Sequence, residues 1–250
     1  MRIYNNAYEL ISEVFRDLWE MGTEVKPKSY QNKIIEGKDE FITKEIIMYN
    51  YALTSLPDSE NLFLFEKETA RRWCLAEFSE RIDPGTKNPG YAWKIREEVW
   101  EEFLVNGMFN YTYSERLNHI TSGTLSFIPN LSRIINRLKE DPDTRQAWLP
   151  IFFPMDVAHI GGSARVPCSL GYHFIIRNGQ LDMVYIQRSA DAVLHWGNDI
   201  YLAWLMKEYV ANRVGVKAGY LYHNIFSLHS YKRDWDKLKA GISHLAHNKS

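Results

Sequence analysis

The feature that most constrains this chain is a hairpin written between Pro167 and Asp191, PCSLGYHFIIRNGQLDMVYIQRSAD. At its centre, Asn178-Gly179 supplies two residues that tolerate the left-handed backbone of a type I′ turn, whose twist matches that of paired antiparallel strands. Leu170, Tyr172, Phe174 and Ile176 alternate on the first arm and Leu181, Met183 and Tyr185 on the second, so each strand carries one apolar face. Counting outward from the turn sets Cys168 opposite Ser189 and Ser169 opposite Arg188. Directly opposed residues share a face, with Cβ atoms about 4.5–5.5 Å apart. A thiol, a hydroxyl and a guanidinium therefore converge, and a bulge would shift the pairing by one residue without dispersing them.

The rest of the chain can bury such a hairpin. Its 250 residues are 45% hydrophobic, 14% aromatic and 24% charged, the profile of a globular protein with a large core. We expect one domain over residues 1–250. A formal net charge of −1 provides no global field toward nucleic acid or an anionic membrane, so neither is an expected partner. No apolar run reaches the roughly 18 residues of a membrane span. The N-terminal MRIYNNAYELISEVF lacks the continuous apolar core of a secretory signal. Two cysteines, Cys74 and Cys168, make a weak case for a disulfide, and the expectation is a cytoplasmic protein with free thiols.

Periodicity predicts helices over residues 4–21, 40–55, 59–80, 93–105, 132–140, 198–213 and 234–245. It predicts strands over 147–153, the two hairpin arms and 218–230. The helix over 198–213 is apolar nearly all round in its first half, which makes it a buried one. Helices and strands mix without βαβ alternation. The predicted fold class is α+β, a mixed β-sheet packed on a buried central helix.

Several side chains are candidates for chemistry. Thiolate is the nucleophilic form of cysteine, and a nearby cation such as Arg188 lowers the thiol pKa from about 8.5. An isolated cysteine more often packs as a small hydrophobe. Arg188-Ser189 suits an oxyanion or phosphate clamp, or a strand-end salt bridge. Asp199 opens the buried helix, where a carboxylate also simply favours a helix N-terminus. His229 and Tyr231 alternate and share one side of an extended segment, as ligand contacts or as packed core. Arg145 sits in a turn and is unremarkable alone. No HxxxH, HExxH or CxxC spacing occurs, and neither a Walker loop nor GxGxxG, so no metal is expected.

Taken together these islands resemble the thymidylate synthase family, which includes the pyrimidine hydroxymethylases. The resemblance rests on Pro167-Cys168, on Arg188-Ser189-x-Asp191 20 residues on, and on an Asn or Asp 11 residues after that arginine, here Asp199. It continues in His229-x-Tyr231 and in Pro142-Asp143-Thr144-Arg145-Gln146. Tyr113 in NYTYSERL resembles the active-site tyrosine and Glu45 in FITKEIIMY the catalytic glutamate. The pattern is closest to that of the phage deoxycytidylate hydroxymethylases.

The resemblance implies a thymidylate synthase-like fold and a sheet-mediated homodimer. It implies that Cys168 adds to carbon 6 of a pyrimidine nucleotide and that carbon 5 then takes a one-carbon unit from 5,10-methylenetetrahydrofolate. Arg188 and Ser189 would hold the phosphate, with Arg145 reaching in from the second subunit. His229 and Tyr231 would bind the sugar, Asp191 the folate, and Glu45 would move protons. Synthases acting on uracil carry Asn where Asp199 stands, and a carboxyl there favours cytosine, whose amine is a donor and whose ring nitrogen is an acceptor. The expected activity is 5-hydroxymethylation of dCMP, or CMP. The alternatives are a dCMP 5-methyltransferase and a silent nucleotide-binding relative. Ser169, His195 and Gln146 depart from the synthase pattern, and Gln146 leaves phosphate binding to lean on Lys26 or Lys28. The chain ends at LAHNKS without the familiar synthase tail, which argues against an ordinary synthase.

Overall fold

In the computed structural model, which describes residues 1–30, 33–119, 130–162 and 164–247, the predicted hairpin forms half of an eight-stranded sheet's central run. In chain order the elements are β1 (Arg2–Tyr4), α1 (Ala7–Met21), β2 (Thr23–Val25), β3 (Ser29–Tyr30), β4 (Lys33–Ile34), β5 (Thr43–Leu53), α2 (Lys67–Ile82), α3 (Glu97–Trp100) and α4 (Tyr113–Asn118). Then follow α5 (Asn130–Glu140), β6 (Trp148–Pro150), β7 (Ser169–Arg177), β8 (Gln180–Gln187), β9 (Ala190–Asp191), α6 (Trp196–Val214), β10 (Lys217–Tyr231) and α7 (Trp235–His247). The sheet order is β1-β5-β10-β8-β7-β6, with β2 added to β5 and β9 to β10. β10 runs parallel to β8 and antiparallel to β5, so the sheet is mixed.

The apolar face of this sheet packs on α6, as its sequence requires. Trp196, Ile200, Leu202, Ala203, Met206 and Val210 are all fully buried. Helix α1 covers the β1–β5 side with Leu10, Ile11, Val14, Phe15 and Leu18 at helical spacing. The chain is α+β, as predicted. Among the described residues no helix is long and apolar enough to cross a membrane.

Two predicted helices are not there. Residues 40–55 form β5, an eleven-residue strand, not a helix. Apolar density suggested a helix, but Thr43, Ile46, Ile47, Tyr49 and Tyr51 are β-branched or aromatic residues that fit a pleated surface. Pairing between β1 and β10 decides the matter. Residues 93–105 break into 3-10 turns flanking the single helical turn of α3. At the break, Arg96 leaves helical geometry (φ −131, ψ 52) and its guanidinium pairs with Glu66 at 2.7 Å. The helix expected from residue 59 begins only at Lys67, after a 3-10 turn over Ser59–Leu62. The strand expected over 147–153 is the shorter β6, and residues 248–250 of the tail lie outside the described residues.

The hairpin register is as counted from Arg177↔Gln180 up to Gly171↔Ile186 and then slips by one, to Ser169↔Gln187. Leu170 is the extra residue of a β-bulge, and its carbonyl turns outward to accept the N–H groups of Ile151 (2.9 Å) and Phe152 (3.2 Å). Cys168 therefore faces Arg188 and not Ser189. The Arg188 N–H donates to the Cys168 carbonyl at 2.7 Å. Gly171 makes the bulge possible, because a Cβ there would lie 2.6 Å from the Leu149 carbonyl and 2.6 Å from the Trp148 ring.

Gly171→Ala should therefore destabilise the protein by about 1–3 kcal/mol, the usual cost of overpacking a tight site. Urea denaturation of the two proteins measures this, and an unchanged midpoint would refute it.

Candidate active site

Every residue nominated above except Arg145, Lys26 and Lys28 lines one cleft of about 660 Å³ at the edge where β7, β8, β9, β10 and the start of α6 meet. Cys168 stands at its wall, half-buried, at the entrance to β7. The Arg188 Nη2 donates to its Sγ at 3.9 Å, across the bulged rung. Burial pushes the Cys168 thiol up; Arg188 and Arg165 pull it down, while Asp199 and Asp191 oppose them. The cation expected beside the thiol is present, but desolvation outweighs it, so Cys168 rests as a thiol.

Beside the sulfur lies a cluster of hydroxyls. Ser169 Oγ is 2.6 Å from the Tyr185 hydroxyl and 3.2 Å from that of Tyr113. Tyr113 caps the Arg81 guanidinium, which lies 4.0 Å from its ring centroid. Burial raises the Tyr113 and Tyr185 phenols well above their usual range, so both stay protonated and can donate.

Asp199 sits in the first turn of α6, and its Oδ2 accepts a 2.8 Å hydrogen bond from Gln187 Nε2. Burial pushes its carboxyl up to about 6; Gln187 and Arg81 pull it down, and Glu77 and Asp191 push it further up. Asp191, buried on β9, is fixed by the N–H groups of Val193 (3.1 Å) and Leu194 (3.3 Å) donating to its Oδ1. His229 and Glu45 are register partners on β10 and β5, and Ser227 donates to Glu45. Tyr231 packs edge-on against His229 (5.1 Å) and Tyr30 (5.5 Å).

Arg145 lies elsewhere. It is exposed beside the β6–β7 edge, and its carbonyl accepts from His173 Nε2 at 3.1 Å. Lys26 and Lys28 are exposed outside the cleft, and Lys28 pairs with Glu36. The cations that do line the cleft are Arg81, Arg96, Arg165, Arg188 and Arg233. Except for Arg188, sequence reasoning passed over them, together with Glu77 and Gln187. Gln187 had a legible signal: it continues the inward row Leu181, Met183, Tyr185 as a fully buried polar residue. The others come from α2, from the broken helix after it and from loops, and their spacing carries no signature.

One wall suits a flat, polar heteroaromatic co-substrate. Trp73 and Trp100 stack at 5.6 Å, and Arg96 beside them is buried with its Nε and Nη1 lacking hydrogen-bond partners among the described residues. Burial pulls the nearby His195 down and keeps it neutral. Among the described residues no group of three His, Cys, Asp or Glu is placed to hold a metal ion.

A cysteine across a strand rung from a guanidinium, with a carboxyl at a helix start facing the same cleft, is chemically able to support covalent nucleophilic catalysis. The thymidylate synthase family model matches residues 44–249, and the chain belongs to that family. Members are one-carbon transferases that bind a pyrimidine nucleotide and use methylenetetrahydrofolate as co-substrate. A Methanosarcina acetivorans protein named "Putative thymidylate synthase" is 31% identical over 173 residues, 65% of this chain and 71% of that protein. One of the same name from Methanocaldococcus jannaschii is 30% identical over 169 residues, 64% and 76% of the two chains. The deoxyuridylate hydroxymethyltransferase of Bacillus phage SP01 is 36% identical over 191 residues, 73% of this chain but 47% of the phage protein. The chain thus spans about half the length of that relative.

The raised carboxyl pKa has a stability consequence. A native pKa near 6 against an ordinary value of 3.8 means that the folded state holds the Asp199 proton more tightly than the unfolded state does. Stability is then lost as pH rises through the window between those values. Asp199→Asn lacks this term, so its melting temperature should gain on the parent protein between pH 4 and pH 6 and hold a constant lead above that. A lead independent of pH in thermal melts would show that Asp199 titrates normally.

Proposed function

We propose that the chain is a cytidylate 5-hydroxymethylase that takes dCMP in preference to CMP. The observation that carries this reading is the gathering of Cys168, Arg188 and Asp199 at one cleft, with Asp199 gripped by Gln187 where a synthase has an amide. The likeness to a phage hydroxymethyltransferase supports the hydroxymethyl branch. That relative is named for deoxyuridylate, and the carboxyl at position 199 favours cytosine here.

Cys168 Sγ adds to carbon 6 of the pyrimidine, which makes carbon 5 nucleophilic. Its proton passes first to a neighbouring base, and the Arg188 guanidinium at 3.9 Å stabilises the thiolate as it forms. Arg188 and Ser189 hold the phosphate, and His229 and Tyr231 hold the sugar. Asp199 faces the base edge. Bound methylenetetrahydrofolate supplies a one-carbon unit at the formaldehyde level. Asp191, Arg96 and the Trp73–Trp100 wall would hold it. After the new carbon–carbon bond forms, loss of the carbon 5 proton expels tetrahydrofolate from the new carbon and leaves an exocyclic methylene. Water adds to that methylene, giving up one proton to a base, as the bond from Cys168 Sγ to carbon 6 breaks and the thiolate is released. Glu45 is our first assignment for moving these protons. Glu77 is the second, favoured by the reach of its charge to Asp199. Tyr113 donates to the base side of the site.

Arg145 sits outside its own chain's cleft, which fits a homodimer in which each copy lends this arginine to its partner's phosphate. Mixing inactive Cys168→Ala and Arg145→Ala proteins, with subunit exchange, should then restore activity. Continued inactivity of the mixture, with exchange verified, would refute the lending.

The main test is incubation with methylenetetrahydrofolate and dCMP, CMP or dUMP, followed by mass spectrometry of the nucleotide. Hydroxymethyl-dCMP is expected. A methyl product with dihydrofolate release would select the methyltransferase instead. Cys168→Ala should abolish tritium release from carbon 5 of dCMP while keeping the parent circular dichroism spectrum. Persistent release would remove the covalent mechanism.

A further inference from the structure

Behind Asp199 runs a line of buried polar groups that crosses the sheet. Tyr51 Oη lies 2.7 Å from His223 Nδ1. His223 Nε2 lies 2.8 Å from Gln187 Oε1, and Gln187 Nε2 donates to Asp199 Oδ2 at 2.8 Å. Tyr51, His223 and Gln187 are all fully buried. The line is built from sheet register: Tyr51 on β5 pairs with His223 on β10, which pairs with Tyr185 on β8. Tyr185 stacks on the His223 ring at 4.6 Å and 17°, which holds the imidazole plane in place.

This line has a direction. Gln187 presents its carbonyl to His223, and a carbonyl only accepts, so His223 carries its proton on Nε2. Its Nδ1 is then an acceptor, and the Tyr51 O–H donates to it. Burial holds His223 neutral, with its pKa pushed down to about 3. An ionised Asp199 can only accept, which turns the Gln187 nitrogen toward it and the Gln187 carbonyl toward His223; with His223 in the tautomer this requires, a flipped amide would set an N–H against the His223 N–H. Its nitrogen is thereby locked as a donor toward Asp199, and Asp199 Oδ2 is locked as an acceptor. A proton on Asp199 is then favoured on Oδ1, because the carbonyl oxygen of a carboxyl is the stronger acceptor for the Gln187 N–H.

That matters because a protonated carboxyl can read either pyrimidine. Cytosine offers an amine donor and a ring-nitrogen acceptor; uracil offers a ring N–H donor and a carbonyl acceptor. A carboxyl with one acceptor oxygen and one hydroxyl satisfies either pair, depending on which oxygen holds the proton. We propose that Tyr51 and His223 are positioning residues that set base discrimination, by fixing through Gln187 which oxygen of Asp199 accepts and which donates. This rests on the reading of Asp199 as the group facing the base. It does not depend on which base that is.

The test compares kcat/KM for dCMP and dUMP in the parent, Tyr51→Phe and His223→Phe proteins. The parent's preference tests the cytidylate assignment. The movement of the ratio tests the positioning role. In His223→Phe the Gln187 amide is free to turn, so the ratio should move toward one by about tenfold, the equivalent of about 1.4 kcal/mol. Tyr51→Phe should move it in the same direction by less, because Gln187 still faces the imidazole. The loss should appear as a changed ratio between the two substrates, which a general loosening of the fold would not produce. A folded His223→Phe protein with an unchanged ratio would overturn the proposal. A second measurement needs no variant: nitrogen NMR of histidine-labelled parent protein should show His223 protonated on Nε2 alone from pH 5 to pH 9. A proton on Nδ1, or a charged ring, would overturn it equally.

Discussion

The hydrogen bond from the Arg188 N–H to the Cys168 carbonyl, 2.7 Å long and one rung beyond a bulge, is the constraint on which the site depends. Without the extra residue at Leu170, the same two strands would carry Cys168 past its partner to Ser189. The bulge costs one ladder position, and its displaced carbonyl is satisfied twice over by Ile151 and Phe152. Little is lost, since a buried carbonyl is expensive only when left unpaired. In return the guanidinium and the sulfur face each other from fixed backbone rather than from mobile loops. A site built on strands holds its groups more closely than one built on loops.

From that rung inward, the sheet carries polar groups where a sheet of this kind would ordinarily carry only apolar ones. Tyr51, His223, Tyr185 and Tyr172 form one row across four strands. Burying such groups unpaired would cost several kcal/mol in total, at about 1–3 kcal/mol each. Tyr51, His223 and Tyr185 are not unpaired: Tyr51 reaches His223, His223 reaches Gln187, Gln187 reaches Asp199, and Tyr185 reaches Ser169. A satisfied buried network of this kind stiffens its members and gives each one role as donor or acceptor. Its hydrogen bonds lead to the two places that the proposed mechanism uses, the carboxyl at the start of α6 and the hydroxyls beside the sulfur.

The nominated residues were legible to the extent that their neighbours lie close in sequence or share a strand. The Asn178-Gly179 turn and the alternation around it place the thiol near the guanidinium, because a two-residue turn leaves the strands little freedom. His229 and Tyr231 follow from period two on β10. The buried α6 follows from apolar residues on all its sides. By contrast, β5 reads as a helix until its partners β1 and β10 are known, because short apolar runs serve either structure. Arg81, Arg96 and Glu77 reach the cleft from α2 and from a helix broken by the Arg96–Glu66 pair, a contact between residues 30 apart. No local pattern announces such a contact.

The sequence alone therefore settled the class of fold, the hairpin and the buried helix, since periodicity and turn chemistry act over a few residues. Tertiary structure alone decided the rung on which Cys168 stands, because a bulge depends on what the neighbouring strand β6 can accept. It also decided the state of the titrating groups. The sequence puts a cation beside the thiol, and burial still pushes that thiol up and the Asp199 carboxyl to about 6. Desolvation is a property of everything packed around a group, and no stretch of sequence contains it.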